Sequence, residues 1–274
     1  MTKVRQPAVA GKFYPADPGE LREAVSRALG GAQTSGPAPK AIIAPHAGYI
    51  YSGAVAASAY ARLAPARDRI RRVVLIGPSH RVAFRGLAAS SADAFATPLG
   101  RVPLDRECID ALLALPAVQL LDRAHQAEHS LEVHLPFLQV VLESFRLVPL
   151  AAGDASPAEV AGVLDAVWGG NETLIVVSSD LSHYLDYDSA RRVDAGTRRA
   201  IEALRWEDLG EDQACGRNGV NGLLETARRR RMRVQTLDLR NSGDTAGTRD
   251  EVVGYGAWAF EDAGAAGSAG NVLD

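Results

Sequence analysis

The six histidines of this 274-residue sequence are its most informative side chains, at positions 46, 80, 125, 129, 134 and 183. Three of them follow apolar runs: His46 in AIIAPHAGY, His80 in VVLIGPSH, and His183 together with Asp180 in TLIVVSSDLSHY. Such runs are typical of buried strands, and open α/β sheets bind ligands beyond the carboxyl ends of their strands. If the strands are neighbours, these four side chains can meet around one metal ion or one small substrate.

Each of these histidines also has a simpler interpretation. A single histidine after a strand is more often a loop residue that satisfies a backbone carbonyl than a ligand. Three histidines in the same topological position reduce the weight of that interpretation. We therefore take His46, His80 and His183, with Asp180, as the first candidate functional group.

The segment AEHSLEVHLPFLQ, residues 127–139, adds two more histidines. Read as a helix, it places His129 and Glu132 on one face at a spacing of three, and His134 on another face. We predict His129 and Glu132 as a functional pair; the alternative is a polar helix start whose acidic residues complement the dipole. His134 is expected at the surface or in packing, and His125 in an exposed loop.

The two cysteines, Cys108 and Cys215, are too few for a disulfide scaffold. Cys108 lies in DRECIDALLAL, on an apolar helical face, and is predicted to be part of the core. Cys215 lies in DQACGRNGV, just before a helix start near Asn218, and a helix N-terminus lowers the pKa of a thiol. A reactive or ligating thiol and a buried structural cysteine are equally consistent with that position.

The order of the predicted elements indicates an α/β fold. Apolar runs at 41–44, 73–76, 146–151 and 173–178 are separated by amphipathic stretches near 53–63, 105–115, 130–145 and 157–168. Strands without polar alternation are covered on both faces, as in a largely parallel sheet flanked by helices. We find no repeat or linker, and we predict one domain over residues 1–262 with a flexible C-terminal tail over 263–274.

Composition narrows the class of protein. A net charge of −3 gives no basic face, and we read the short run from Arg228 to Arg231 as a solvated helix end, so nucleic acid is not an expected partner. No apolar segment approaches the ~18 residues that span a membrane, and the N-terminus has no signal-peptide core. We expect a cytoplasmic protein without a membrane segment.

Six ordered motifs together resemble a known family: PAVAGKFYP, APHAGYIYSG, LIGPSH, EHSLEVHLPFLQ, SSDLSHY and ACGRNGV. The chain resembles the Memo family, whose bacterial and archaeal members are also called AmmeMemoRadiSam system protein B. The resemblance runs from about residue 6 to the segment VVGYGAWAF. It implies a fold like that of the class III extradiol (LigB-type) dioxygenases, a three-layer α/β/α structure with a central, largely parallel or mixed sheet.

The resemblance also implies a site. The metal ligands of the family correspond to His46, His80 and Cys215, and Asp180 and His183 line the same pocket. Two neutral imidazoles and a thiolate suit Fe(II), which we expect, or copper or zinc, rather than magnesium or calcium. His183 is then a candidate general acid or base tuned by Asp180.

The implied activity is dioxygenase-like or other redox chemistry on a small molecule at a mononuclear non-haem metal. Non-haem Fe(II) oxygenases typically use two histidines and a carboxylate, whereas a thiolate favours Cu(I), zinc or a redox role. A hydrolase using Cys215 or a bound water, and a non-catalytic phosphopeptide- or protein-binding module, are the alternatives. The resemblance further implies AMMECR1-type and radical-SAM proteins as partners.

Overall fold

The computed structural model describes residues 2–33 and 35–262, so the predicted tail over 263–274 lies outside the described residues. The helices are Pro18–Gly30 (α1), Tyr49–Tyr60 (α2), Arg106–Leu112 (α3), Arg123–Gln126 (α4), Leu135–Val141 (α5), Pro157–Val167 (α6), Tyr187–Glu202 (α7) and Arg217–Arg229 (α8). The strands are Val4–Arg5 (β1), Ala41–Ala44 (β2), Arg72–Pro78 (β3), Leu87–Ala89 (β4), Ala94–Thr97 (β5), Gly100–Pro103 (β6), Val118–Leu120 (β7), Arg146–Ala152 (β8), Thr173–Ser178 (β9), His183–Leu185 (β10), Arg233–Asn241 (β11) and Val252–Glu261 (β12). None of these helices combines the length and the apolar character needed to cross a membrane.

A nine-stranded mixed sheet forms the centre of the protein, in the order β10-β12-β2-β9-β3-β8-β4-β7, with β11 paired to β12. The four central strands β2, β9, β3 and β8 are parallel, while β12 and β4 run antiparallel on either side of them. The central strands are buried along nearly their whole length. The predicted class, an α/β fold with a largely parallel or mixed sheet, is confirmed.

Helices cover both faces of the sheet. Helix α8 approaches β3 and β9 so closely that a Cβ at Gly219 would lie 3.2 Å from both Ile76 and Val177. Since successive side chains of a strand point to opposite faces, Ser178 faces away from α8. Its hydroxyl bonds the carbonyl of Ser130 and the ring of His134, just before α5. The predicted three-layer arrangement is therefore present.

The central strands end at a common edge. Strand β9 lies between β2 and β3, with Ala44 paired to Ser178 and Val177 paired to Ile76. The loops that carry His46 and His80 therefore leave the sheet beside the loop that follows β9. The condition that the sequence left open, that these strands are neighbours, is met.

The predicted helix over residues 127–139 begins later than expected. Helix α5 starts at Leu135, a 3-10 turn covers Glu132–His134, and His129 lies in the preceding loop. The Glu128 carboxylate accepts the backbone N–H groups of His129 and Ser130, which satisfies donors in the loop without a helix. Pro136 then occupies the first turn of α5, a position that proline favours.

Glu132 is an anchor for the N-terminal arm, and its predicted pairing with His129 is wrong. It is fully buried and accepts hydrogen bonds from the Arg5 guanidinium, the Tyr14 hydroxyl and the backbone N–H groups of Ala8 and Val9. Each oxygen of the Glu132 carboxylate accepts two of these hydrogen bonds. The irregular backbone between 129 and 132 turns the two side chains to different surroundings, so Glu132 does not line the pocket and is not a catalytic candidate.

We expect Glu132→Gln to lower the free energy of unfolding by about 3 kcal/mol, because it leaves the buried Arg5 guanidinium without its counter-charge. Urea unfolding followed by circular dichroism measures the change. Glu143→Gln is the matched control, since Glu143 pairs with Arg67 at 3.8 Å on the surface and should change stability by less than about 0.5 kcal/mol. Equal stability of the two variants would contradict the anchoring role.

Candidate metal centre and adjoining cavity

His46, His80 and Cys215 come together at the carboxyl edge of the sheet. One potential ligand atom of each lies within 4.8 Å of those of the other two. The His46 and His80 ring centroids are 5.2 Å apart, and the Cys215 sulfur lies 3.3 Å from His46 Nε2. The three residues come from the loops after β2 and β3 and from the start of α8, and their roles as metal ligands remain a prediction.

The environment of His46 keeps its ring neutral. Burial, with the nearby His80 and His129, lowers its pKa well below the usual value. Its backbone N–H donates to Asp180 Oδ1 at 2.8 Å, and its Nδ1 lies 2.6 Å from the Ser178 hydroxyl. The Nε2 atom is left facing Cys215, which is the arrangement that a ligating imidazole needs.

His80 is held by the carboxylate of Glu128. The carboxylate accepts the His80 backbone N–H at 2.6 Å and lies 2.9 Å from Nδ1. Burial opposes ionisation of Glu128, but the bonds from His80 and the Ser130 N–H outweigh it and lower the pKa to about 2. Because an ionised carboxylate only accepts, His80 must donate from Nδ1, and Nε2 is free to bind a metal.

Cys215 is fixed by the turn into α8. Its backbone N–H donates to the Asp180 carbonyl at 3.2 Å, and the next N–H, of Gly216, donates to Ser179 Oγ at 2.9 Å. A Cβ at Gly216 would lie 2.2 Å from the Ser178 carbonyl oxygen, so only glycine permits this approach. The sulfur therefore has a defined position relative to His46.

In the metal-free thiol of Cys215, burial outweighs any lowering of the pKa by the helix N-terminus. Burial, and then the charge of Asp180, raise the pKa of Cys215. A protonated thiol is a poor nucleophile, which disfavours the thiol-hydrolase alternative. A metal ion would supply the positive charge that the thiolate lacks here.

A cavity of about 460 Å³ lies next to this group: Asp180, His129 and His183 line it, whereas His46, His80 and Cys215 are not among its lining residues. Asp180 Oδ2 is 3.8 Å from His46 Nε2, and the His129 ring stacks on His80 with centroids 4.7 Å apart. Burial lowers the pKa of His129 and raises that of Asp180. The structure thus brings both predicted catalytic histidines to the pocket beside the candidate ligands.

His183 has a different partner from the one expected. Its Nδ1 donates to the Leu181 carbonyl at 2.8 Å, and no hydrogen bond joins its ring to Asp180 within the described residues. Since a carbonyl only accepts, the neutral ring carries its lone pair on Nε2. The Leu181 carbonyl, more than Asp180, fixes the form in which His183 can accept a proton.

The residue after His183 carries strain at the mouth of the cavity. Tyr184 has φ of 56°, in the left-handed region, and 73% of its surface is exposed although it lines the cavity. That conformation costs a non-glycine residue roughly 1 kcal/mol. Phe13, Tyr51 and Tyr255 add three more aromatic rings to the lining.

Two other histidines are buried: His125, which was predicted in an exposed loop, and His134, for which packing was one of the two predicted locations. His125 is 2% exposed, and its Nε2 donates to the Ala88 carbonyl at 3.0 Å. His134 is 1% exposed and contacts both Tyr60 and Ser178. Cys108 is partly buried and packs against the core as predicted. In the sequence, the only indication that Ser178 and His134 have a role was that each is a polar residue beside a fully apolar segment.

Comparisons with known proteins identify the family of this chain. A family model described as "Memo-like protein" matches residues 5–259. The chain belongs to the Memo family. A MEMO1 family protein of Aquifex aeolicus is 36% identical over 264 residues, covering 92% of this chain and 97% of its own. One from Thermotoga neapolitana is also 36% identical, over 277 residues, covering 92% and 98%.

Among solved structures, an uncharacterised protein of Escherichia coli K12 matches this Memo-family chain with a TM-score of 0.50 and 14% identity. The match covers 78% of this chain and 98% of that one. At this identity it supports the α/β fold alone. The family resemblance inferred from the six sequence motifs is confirmed by the family match.

We expect wild-type stability to fall by about 3 kcal/mol more than that of Glu128→Gln as pH drops from about 4.5 to about 2. The folded pKa of Glu128 is depressed, so its contribution is fully present above the unfolded pKa and is lost as protons bind. Urea unfolding across this pH range, with both proteins free of metal, measures the difference. Parallel pH profiles would contradict the role given to Glu128.

Proposed function

We propose that this Memo-family protein is a mononuclear non-haem metal protein that carries out dioxygenase-like or other redox chemistry on a small molecule. The observation that supports it best is the convergence of His46, His80 and Cys215, with ligand atoms within 4.8 Å, beside a cavity of about 460 Å³. Fe(II) is the expected metal, and copper and zinc are the alternatives.

The donor set fits such an ion. Both imidazoles are oriented by their Nδ1 atoms, His46 on Ser178 and His80 on Glu128, so each offers Nε2. Histidine nitrogens with one sulfur suit iron, copper or zinc and suit magnesium and calcium poorly. When bound, the metal would supply the Lewis-acid or redox chemistry of the reaction.

The remaining polar groups of the cavity would handle protons and orientation. His183, with its proton on Nδ1, can accept a proton at Nε2 from a bound hydroxyl group. Asp180 holds the His46 backbone and places a carboxylate within 3.8 Å of its ring. His129 stacks on His80 and can donate to or accept from a substrate in the same cavity.

The cavity suits a small, planar molecule. Aromatic side chains line it together with His129 and His183, and flat rings stack well on such surfaces. Cavities of a few hundred Å³ are typical of small-molecule sites. This lining favours the enzyme hypothesis over a phosphopeptide-binding module, since no lysine or arginine lines this cavity among the described residues.

Location and partners stay predictions. Association with AMMECR1-type and radical-SAM proteins is predicted from the family resemblance. A cytoplasmic location is predicted from the sequence. Nucleic acid is still not expected, because acidic residues pair with the basic helix end: Arg228 with Glu207, and Arg229 and Arg230 with Asp165.

We expect His46→Ala, His80→Ala and Cys215→Ser each to reduce bound metal by at least about tenfold, because each removes one of three ligands. The measurement is elemental analysis of protein purified without air and loaded with Fe(II), copper or zinc in separate samples. Cys108→Ser is the matched control, since it removes the other thiol, and should keep full occupancy. Wild-type protein without bound metal in all three samples would refute the proposed function.

We expect His183→Gln to lower turnover by at least about 100-fold while leaving metal occupancy unchanged, because it removes a proton acceptor that is not a ligand. The assay follows dioxygen consumption by the Fe(II)-loaded protein with a panel of catechols. His125→Gln, which alters a buried histidine outside the cavity, is the control. If metal-loaded wild-type protein consumes no dioxygen with any member of the panel, the dioxygenase assignment is wrong and only metal binding stands.

A further inference from the structure

We propose that Tyr60 and His134 are positioning residues for the candidate metal ligand His46, and that they act through the hydroxyl of Ser178. The inference rests on the proposed metal site. It assigns a role to two buried residues that lie outside the cavity and contact none of its lining groups directly by hydrogen bond.

A continuous polar chain connects the core to His46. The Tyr60 hydroxyl lies 2.8 Å from His134 Nδ1, and His134 Nε2 lies 2.8 Å from the Ser178 hydroxyl. The same hydroxyl lies 2.6 Å from His46 Nδ1 and 2.7 Å from the Ser130 carbonyl oxygen. All four side chains are buried.

Hydrogen-bond accounting selects one proton arrangement for this chain. The Ser178 hydroxyl can donate one hydrogen bond and accept two, and it has three polar neighbours. The Ser130 carbonyl can only accept, so it takes the hydroxyl hydrogen. Both histidine nitrogens beside Ser178 must then donate, which gives N–H groups at His134 Nε2 and His46 Nδ1.

Tyr60 completes the arrangement. With its proton on Nε2, His134 has a bare Nδ1, and the Tyr60 hydroxyl donates to it. In the opposite arrangement His134 would donate from Nδ1 to Tyr60 and take the Ser178 hydrogen at Nε2. The Tyr60 hydrogen and the Ser130 carbonyl would then have no partner among the described residues, and unpaired buried polar groups cost about 1–3 kcal/mol each.

The consequence for His46 is a defined tautomer. A proton on Nδ1 leaves the Nε2 lone pair directed at the space beside Cys215, 3.3 Å away. Two donors and one acceptor around Ser178 also fix the orientation of its hydroxyl, which in turn fixes the plane of the His46 ring. Groups that orient a metal-binding histidine in this way typically change metal affinity by 10–100-fold.

The test uses the full chain in two states. In metal-free protein with ¹⁵N-labelled histidine, long-range ¹H–¹⁵N spectra should show His46 protonated at Nδ1 in the wild type. In His134→Leu His46 should stay protonated at Nδ1, because the Ser130 carbonyl still takes the Ser178 hydrogen, but its Nδ1–H resonance should shift and broaden, because Ser178 loses one of the two donors that hold it. Zn(II) affinity, measured by competition with a chelating dye, should fall by about tenfold in the same variant.

Conservative variants distinguish a loss of His46 orientation from a general loss of stability. His134→Gln can place an amide N–H where Nε2 lies, so it should restore the wild-type His46 Nδ1–H resonance and most of the Zn(II) affinity. Tyr60→Phe removes one hydroxyl and should cause a smaller loss in the same direction, and it serves as the test if His134→Leu does not fold. Tyr49→Phe is the control, since its part-buried hydroxyl bonds the Val133 carbonyl and not this hydrogen-bonded chain.

The outcomes distinguish this inference from the proposed function. Wild-type His46 protonated at Nε2 would overturn the positioning role. So would His134→Leu and Tyr60→Phe variants that both match the wild type in the His46 Nδ1–H resonance and in Zn(II) affinity. A wild type that binds Zn(II) in those cases keeps the proposed function. Conversely, the expected wild-type tautomer and resonance shifts without any Zn(II) binding would keep the positioning role and refute the metal site.

Discussion

Burial of both faces of the central parallel strands is the constraint on which the rest of the structure depends. Because β2, β9 and β3 lie side by side between two layers of helices, polar groups are confined to the strand ends. There, three loops begin within a few ångströms of one another. The candidate site is therefore a product of sheet order, and the residues gathered in it are distant in sequence.

Two buried carboxylates, of Glu128 and Glu132, hold different segments at the carboxyl edge of the sheet. Glu128 binds His80 and the loop that carries His129, while Glu132 binds the N-terminal arm. Both lie before α5, and the bonds of Glu128 to the N–H groups of His129 and Ser130 satisfy donors in a loop that has no helix. One short irregular segment thus joins the proposed ligands to the first residues of the chain.

Much of this could be predicted from the sequence, and the remainder has a common physical cause. Position after an apolar strand identified His46, His80, Asp180 and His183, since strand ends are fixed by local pattern. Cys215 needed the family resemblance. Glu128, Ser178 and His134 were missed, and Glu132 was misplaced, because their roles depend on contacts between segments more than forty residues apart. Helical periodicity failed over 127–134 for the same reason.

The arm held by Glu132 gives the amino terminus an influence beyond its own segment. Arg5 neutralises a charge that lies three residues from His129 and two from His134. Shortening the chain past Arg5 would leave that charge stranded beside the loop from which the pocket is built. An expressed fragment that starts after Arg5 would consequently disturb the pocket, even though Arg5 does not line that pocket.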